Sequence, residues 1–317
     1  MISRKPQALI IRVKDPSAEA IRDSLFEGLN YMGFEHDFSR KRVLIKPNLC
    51  YYWDYTTGET TDPRLISALI DFLREKCGAK EIAIVESDAS AMRAKHAFEV
   101  LGYVELAERK MVKLINLSTD ESVEKRVTVD SEAYKIPVPR ILLNPNTVLI
   151  NVPKIKVGPF AGGKSLHITC ALKNMYGCIH LWQKVRYHEH LNQVIVAINK
   201  LIKPHLIVAD GIVALGKNPI KLGIIVVGLN PVIVDSTVGT IMGYNPNKIE
   251  HLRLAEKEGL RNITVQLEKS QINELRRAFP KRNRLLFTLN WKLQLFALRT
   301  YINLVGDVIP PPLEVCT

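Results

Sequence analysis

"VGPFAGGKSLHITCALKNMYG", Val157 to Gly177, is the stretch whose reading decides what kind of α/β protein this chain is. Gly158 to Ser165 satisfies G-x-x-x-x-G-K-S/T, the pattern of a phosphate-cradling loop that joins a strand to a helix. In such proteins the loop leaves the end of a buried strand directly. Here the apolar run "TVLINV" ends at Val152, and Pro153, Lys154, Ile155, Lys156 and Val157 intervene before Gly158. Pro159 also removes a backbone N–H where the cradle needs one. The stretch therefore reads first as an anion-binding loop, with P-loop-type nucleotide binding, or nucleic-acid binding by the basic surface, as the less favoured alternatives. It leads into a helix expected to begin at Ser165, whose N-terminus adds partial positive charge. Lys173 and Asn174 fall two turns inside that helix.

On either side of this stretch, short apolar runs alternate with helical periodicity, which predicts an α/β fold with a mostly parallel sheet and helices on both faces. "ALIIRV", "RVLIKPN", "EIAIVESD", "NTVLINVP", "HLIVADG" and "LGIIVVG" read as strands. Asp15-Pro16 reads as the cap and first residue of a helix carrying Ile21, Leu25 and Leu29 on one face. Further helices are expected near 64–76, through Leu191, Val194, Ile195, Ile198 and Leu201, near 232–242 and near 249–258. The body spans 1–265, with a two-lobe division expected near 145–155. Residues 266–317 form a C-terminal helical extension, in which Lys281, Arg284, Thr288, Lys292, Arg299 and Asn303 make a narrow polar stripe on an otherwise apolar helix. Packing on the body or on a second copy of the chain is the first reading of that amphipathic helix, and peripheral membrane contact is the second.

Lys and Arg number 44 against 32 Asp and Glu, a formal net charge of +12, so the surface attracts anions. No zinc finger, helix-turn-helix or RGG tract accompanies that charge, and no specific nucleic acid is expected. Five scattered cysteines (Cys50, Cys77, Cys170, Cys178 and Cys316) read as reduced thiols. The first residues lack the pattern of a signal peptide, and a cytoplasmic location is expected. His167, Cys170, Cys178, His180, His188 and His190 crowd one region, but their spacing matches no standard zinc or iron–sulfur pattern, and no metal ligands are assigned.

In open parallel sheets, ligands bind at the carboxyl ends of the strands. Lys46-Pro47-Asn48, Glu86-Ser87-Asp88, Asn151 through Lys156, and Asp210-Gly211 all fall at expected strand ends. Lys46, Lys154, Lys156, Gly163, Lys164 and Ser165 are the candidates for holding an anionic small molecule, with Asn48 and Asn174 orienting it. Lys173, His188 and Asp210 are the candidates for proton chemistry. Lys46, Lys154 and Lys173 are expected to converge on one cleft.

The same residues carry a family resemblance. Lys46-Pro47-Asn48, Thr60-Thr61-Asp62-Pro63, Pro153-Lys154-Ile155-Lys156, Leu172-Lys173-Asn174-Met175-Tyr176-Gly177, Tyr187-His188, Ala209-Asp210-Gly211-Ile212 and Asn230-Pro231 with Asp235 occur in order between about residue 40 and 260. The set resembles the domain of unknown function 362 family (DUF362). The resemblance implies no settled activity. Many relatives carry a ferredoxin-like segment with cysteines for two 4Fe–4S clusters. This chain shows no such segment, so no iron–sulfur cluster is expected on it, and its cofactor is left unassigned. A non-catalytic component that docks an iron–sulfur redox partner is therefore the alternative to an enzyme or enzyme subunit. Two departures stand out: Val157-Gly158 replaces the usual Thr-His after "PK-x-K", and "G-x-GP" appears as Gly216-Lys217-Asn218-Pro219.

Overall fold

The computed structural model describes residues 7–89, 92–158, 160–161, 164–261, 269–277, 279, 293, 296–297, 300 and 304. In chain order the elements are β1 (Ala8–Arg12), α1 (Ala18–Met32), β2 (Arg42–Pro47), α2 (Pro63–Cys77), β3 (Glu81–Glu86), α3 (Ala94–Val100), α4 (Tyr103–Lys110) and β4 (Lys113–Asn116). There follow β5 (Ser122–Val129), β6 (Glu132–Pro139), β7 (Thr147–Val152), β8 (Lys154–Val157), β9 (Phe160–Ala161), β10 (Lys164–Ser165), β11 (Ile168–Thr169), α5 (Ala171–Asn174) and α6 (Leu191–Leu201). The last are β12 (Leu206–Leu215), β13 (Pro219–Gly228), α7 (Pro231–Ile241), α8 (Glu250–Lys257) and α9 (Lys269–Arg277).

The main sheet has the order β1-β13-β12-β7-β2-β3-β4. From β12 to β4 every pairing is parallel, while β13 runs antiparallel to both β12 and β1. Parallel strands buried on both faces read as continuous apolar runs, and alternate residues feed two separate cores. Val43, Ile45, Ile84, Val148, Ile150 and Val208 pack beneath α1 to α4. Leu44, Val85, Leu149, Ile207 and Ala209 pack with the β5–β6 hairpin and α5 to α8 on the opposite face. The expected face of α1 is the buried one: Ile21, Leu25 and Leu29 are fully enclosed, each contributing about 1.5–3 kcal/mol by leaving water.

Three local expectations need correction. The cap of α1 is Ser17, whose hydroxyl accepts the Ala20 N–H at 3.1 Å; Pro16 stays outside the helix, and its carbonyl takes the Arg64 guanidinium at 2.6 Å. "HLIVADG" does not end at Asp210-Gly211. It continues as the ten-residue β12, with a register shift between Gly211 and Val213, so Asp210 sits inside the strand opposite Lys154 of β8. The helix expected from Ser165 starts only at Ala171. Lys164–Ser165 and Ile168–Thr169 are short strands instead: β10 pairs with β9, and β11 folds back antiparallel on β8. A strand excursion thus occupies the place where a phosphate-cradling loop would have its helix.

The helix expected over 281–303 lies mostly outside the described residues. Within it Leu293, Phe296, Ala297 and Thr300 are helical, as is Leu304 just beyond it, and Thr300 Oγ1 donates to the Phe296 carbonyl one turn back at 2.9 Å. The helix before it, α9, packs on the body: Leu275 is buried in the core beside α6 to α8, and Arg12 donates to Glu274 at 2.8 Å. Among the described residues no helix is long and apolar enough to cross a membrane.

Candidate functional site

Parallel pairing sets the strand ends side by side. Lys46 lies opposite Asn151 across β2 and β7, and β3 ends at Glu86 next to β2. Lys46 follows Leu44 on the α5 side of the sheet. Its amine meets Glu86 Oε1 at 2.6 Å and also donates to the Pro47 carbonyl at 2.8 Å, with 1% of the lysine side chain exposed. Glu86 is filled from the other side by the backbone N–H groups of Leu49 and Ser87. Gly177 closes over this pair: a Cβ there would stand 2.9 Å from Lys46 Nζ and 3.2 Å from Glu86 Oε1. The glycine of "LKNMYG" is a matter of space.

Asn174, the last residue of α5, ties the strand ends together. Its Nδ2 donates to the carbonyls of Lys46 and Pro47 at 3.3 Å and to Asn151 Oδ1 at 2.8 Å. Its Oδ1 is thereby left to accept from Asn48 Nδ2 at 3.0 Å. α5 is itself anchored by Asp235 of α7, which accepts the Ala171 and Leu172 N–H groups at 2.6 and 3.0 Å. Burial brings that carboxyl up to about 7, against the opposing pull of the two N–H groups. These bonds account physically for "KPN", "LKN" and "NP-x-x-x-D", which share one scaffold although they lie far apart in the chain.

Lys154 and Lys156 flank Ile155, which faces the α5 side, so both leave β8 toward the α2 side. Lys154 meets Asp210 at 2.9 Å, with both side chains fully enclosed. Asp210 also accepts the N–H of Asp62, the N-cap of α2, and that of Ile212. Lys154 is thus held in a pair separate from the Lys46–Glu86 pair and leaves the sheet on the other face, so the expected convergence of Lys46, Lys154 and Lys173 on one cleft needs correction. Lys156 donates to Glu59 Oε2 at 3.0 Å and to the Glu59 carbonyl at 2.9 Å. Burial pulls the Lys156 amine down, but Glu59 and its neighbours outweigh that and the net shift is upward.

Lys173 differs from these three. Among the described residues no carboxylate pairs with it, and its amine lies over the Tyr176 ring at 4.1 Å. Burial, with the charges of Lys156 and Lys46 adding to it and those of Cys50 and Glu86 opposing, brings the amine of this partly exposed residue down to about 8. Cys50 sits in the same neighbourhood; burial raises its thiol pKa, and Lys156 and Lys173 oppose the rise. Lys184, which the sequence reading passed over, donates to Ser87 Oγ at 2.9 Å and to the Asp88 carbonyl. Burial brings it, too, down to about 8. Ser87 in turn donates to the Gly177 carbonyl.

Asn48 Oδ1 and Thr169 Oγ1, both buried, have no partner among the described residues. Thr169 stands directly opposite Lys156 in the antiparallel β8–β11 register, where facing side chains point the same way. An unmade bond at a buried polar atom costs about 1–3 kcal/mol. Deeper in the core, His251 has both ring nitrogens unpartnered, and burial, with His167 and Lys173 adding to it, brings the imidazole down to about 3.

The remaining candidates fall elsewhere. His188 follows Tyr187, whose hydroxyl donates to the Lys135 carbonyl of β6, on the hairpin side of the molecule. Gly163 lies outside the described residues, as do the side chains of Lys164 and Ser165, whose backbone forms β10. Among the described residues no group of three His, Cys, Asp or Glu side chains could hold a metal ion. Glu59, Thr169 and Lys184 are the site residues that sequence reasoning missed. Glu59 immediately precedes "TTDP" and Thr169 lies within the quoted stretch, but pairing with Lys156 is a tertiary fact.

No curated protein and no solved structure matches the chain. A family pattern does: "Domain of unknown function (DUF362)" matches residues 43–240, which runs from β2 into α7 and contains every residue of the scaffold just described. The chain belongs to the DUF362 family.

Proposed function

We propose that this chain is an enzyme, or the binding subunit of one, that takes an anionic small molecule at the carboxyl edge of its parallel sheet. The observation that carries the reading is Lys173. Lys46, Lys154 and Lys156 each have a buried carboxylate, whereas Lys173 has none among the described residues and stands among like charges. A cation so placed favours a ligand that brings negative charge. Lys173 and Lys156 would meet the anion, and Asn48 and Asn174 would orient it. Lys46, Lys154 and Asp210 would hold the frame from behind. An amine that loses its proton near pH 8 is also suited to act as a base or nucleophile on a bound substrate.

The test is thermal stabilisation by small carboxylates and phosphate, compared between the natural protein and Lys173→Met. A ligand that binds only the folded state raises the melting temperature in proportion to RT ln(1 + [L]/Kd). The reading expects stabilisation beyond that given by chloride at equal ionic strength, and its loss in the variant. Equal stabilisation of both proteins would place the anion elsewhere.

A further inference from the structure

The hydrogen-bond accounting around Asn48 says something about what accompanies the negative charge; the step rests on the anion reading above. Asn174 Nδ2 faces three oxygens, on Lys46, Pro47 and Asn151, so its amide cannot be reversed without setting its carbonyl against theirs. Asn174 Oδ1 must then be the atom turned to Asn48, and Asn48 must answer with Nδ2. Asn151 agrees with this orientation, since its own Nδ2 donates to the Ala171 carbonyl. The chain of amides leaves Asn48 with a carbonyl oxygen that can only accept. That oxygen is unpartnered although Asn48 is 7% exposed, and Thr169 Oγ1 is unpartnered although Thr169 is 5% exposed. Asn48 is two residues from Cys50, which lies in the electrostatic field of both Lys156 and Lys173, and Thr169 faces Lys156 across β11 and β8. Cys50 and Lys173 are only partly covered.

We infer that the ligand is a small carboxylate carrying an O–H or N–H donor close to its charged group: the lysines take the carboxylate, and Asn48 Oδ1, with Thr169 Oγ1 beside Lys156, takes the donor. An anion without a donor leaves Asn48 Oδ1 buried and unpaired, and a site built around such an atom discriminates against it. A free ammonium as the donor is disfavoured by Lys173 and Lys156. Hydroxyl-bearing and N-acylamino acids share the required chemistry.

The experiment measures binding by calorimetry to the full chain, using short carboxylates in matched sets: unsubstituted, 2-oxo, 2-hydroxy and N-acetylamino. The hydroxy or the N-acetylamino member is expected to bind at least roughly 10-fold more tightly than its oxo and unsubstituted counterparts, and the stronger of the two identifies the donor. Asn48→Ala is expected to erase that preference while Lys173-dependent binding persists. Because Asn48 also braces Asn174, Thr169→Val provides a second variant that keeps side-chain shape and is expected to reduce the preference. Equal affinity across every matched set in the natural protein overturns the donor inference and leaves the anion reading standing. Absence of binding by all members overturns both. A preference that survives unchanged in folded Asn48→Ala and Thr169→Val overturns the assignment of the donor to these residues.

Discussion

Lys154 and Lys173 are both lysines drawn below the surface at the same edge of the sheet, and their surroundings are opposites. Lys154 is fully enclosed with Asp210, whose oxygens also accept the N–H groups of Asp62 and Ile212. It belongs to a closed network linking β8, β12 and the start of α2. Lys173 has an aromatic face and the charges of Lys156 and Lys46 acting on it, and its neighbour Asn174 bonds an Asn48 whose Oδ1 has no partner among the described residues. A closed polar network specifies structure, whereas an open one at a partly exposed position asks for a partner. The first centre is therefore scaffold, and the second is where the proposed anion would bind.

Substitutions can break or sharpen that contrast. The largest effect is expected at the closed centre. Asp210→Ala strands the Lys154 charge and orphans two backbone N–H groups, and urea unfolding should show a loss of about 3–5 kcal/mol. A loss under about 1 kcal/mol would mean that the pair behaves like a surface ion pair. Next comes Gly177→Ala, which pushes a methyl group against Lys46 and Glu86. Overpacking of this kind typically costs about 1–3 kcal/mol, and a crystal structure of the variant should show the Lys46–Glu86 contact displaced.

Lys173→Met goes the other way. Removing a cation that has no carboxylate partner among the described residues should raise stability by an amount on the order of 1 kcal/mol while abolishing anion binding. The pH dependence sharpens this. The folded pKa of about 8 lies below the unfolded value of 10.5, so the unfolded chain holds more protons between those limits, and stability rises with pH across that window. Lys184 contributes in the same direction. Melting curves of Lys173→Met should show a shallower rise than those of the natural protein. The smallest effect is expected at His251. Its folded pKa of about 3 lies below the unfolded 6.5, so stability is lost as pH falls from 6.5 toward 3. His251→Leu should unfold less readily in mild acid while changing little at neutral pH; unchanged acid sensitivity would point to other groups.

Much of the fold was legible because strand and helix periods differ. The apolar runs that became β2, β3, β7, β12 and β13 are short, continuous and separated by amphipathic stretches, and they feed two cores by simple alternation. The β5–β6 hairpin was equally legible and was not read: Asp130 and Ser131, at φ 54 and 68°, form the two-residue turn between strands paired from Val129–Glu132 outward. The excursion at 160–169 was hidden, because Gly-Gly-Lys-Ser before "LHITCALKN" has the composition of a helix start, and only the pairing of Ile168 with Val157 reveals a strand. Within the site, lysines and amides at strand ends were visible as types. Their partners were not: Glu59 reaches Lys156 across 97 residues, and Lys184 reaches Ser87 across another 97. Lys184 stands in "WQKVRYHEH", whose composition is that of a solvated loop.

The central claim is that Lys173 is an open cation awaiting an anion, and its amine can be watched directly. In protein carrying carbon-13 at the lysine ε position, the Lys173 resonance is identified by its absence from Lys173→Arg and followed through a pH titration, with and without a small carboxylate. A midpoint near 8 is expected in the free protein, and a rise when the carboxylate binds, because a nearby negative charge favours the protonated amine. A midpoint at the ordinary lysine value of about 10.4, unmoved by any of the carboxylates, would contradict it.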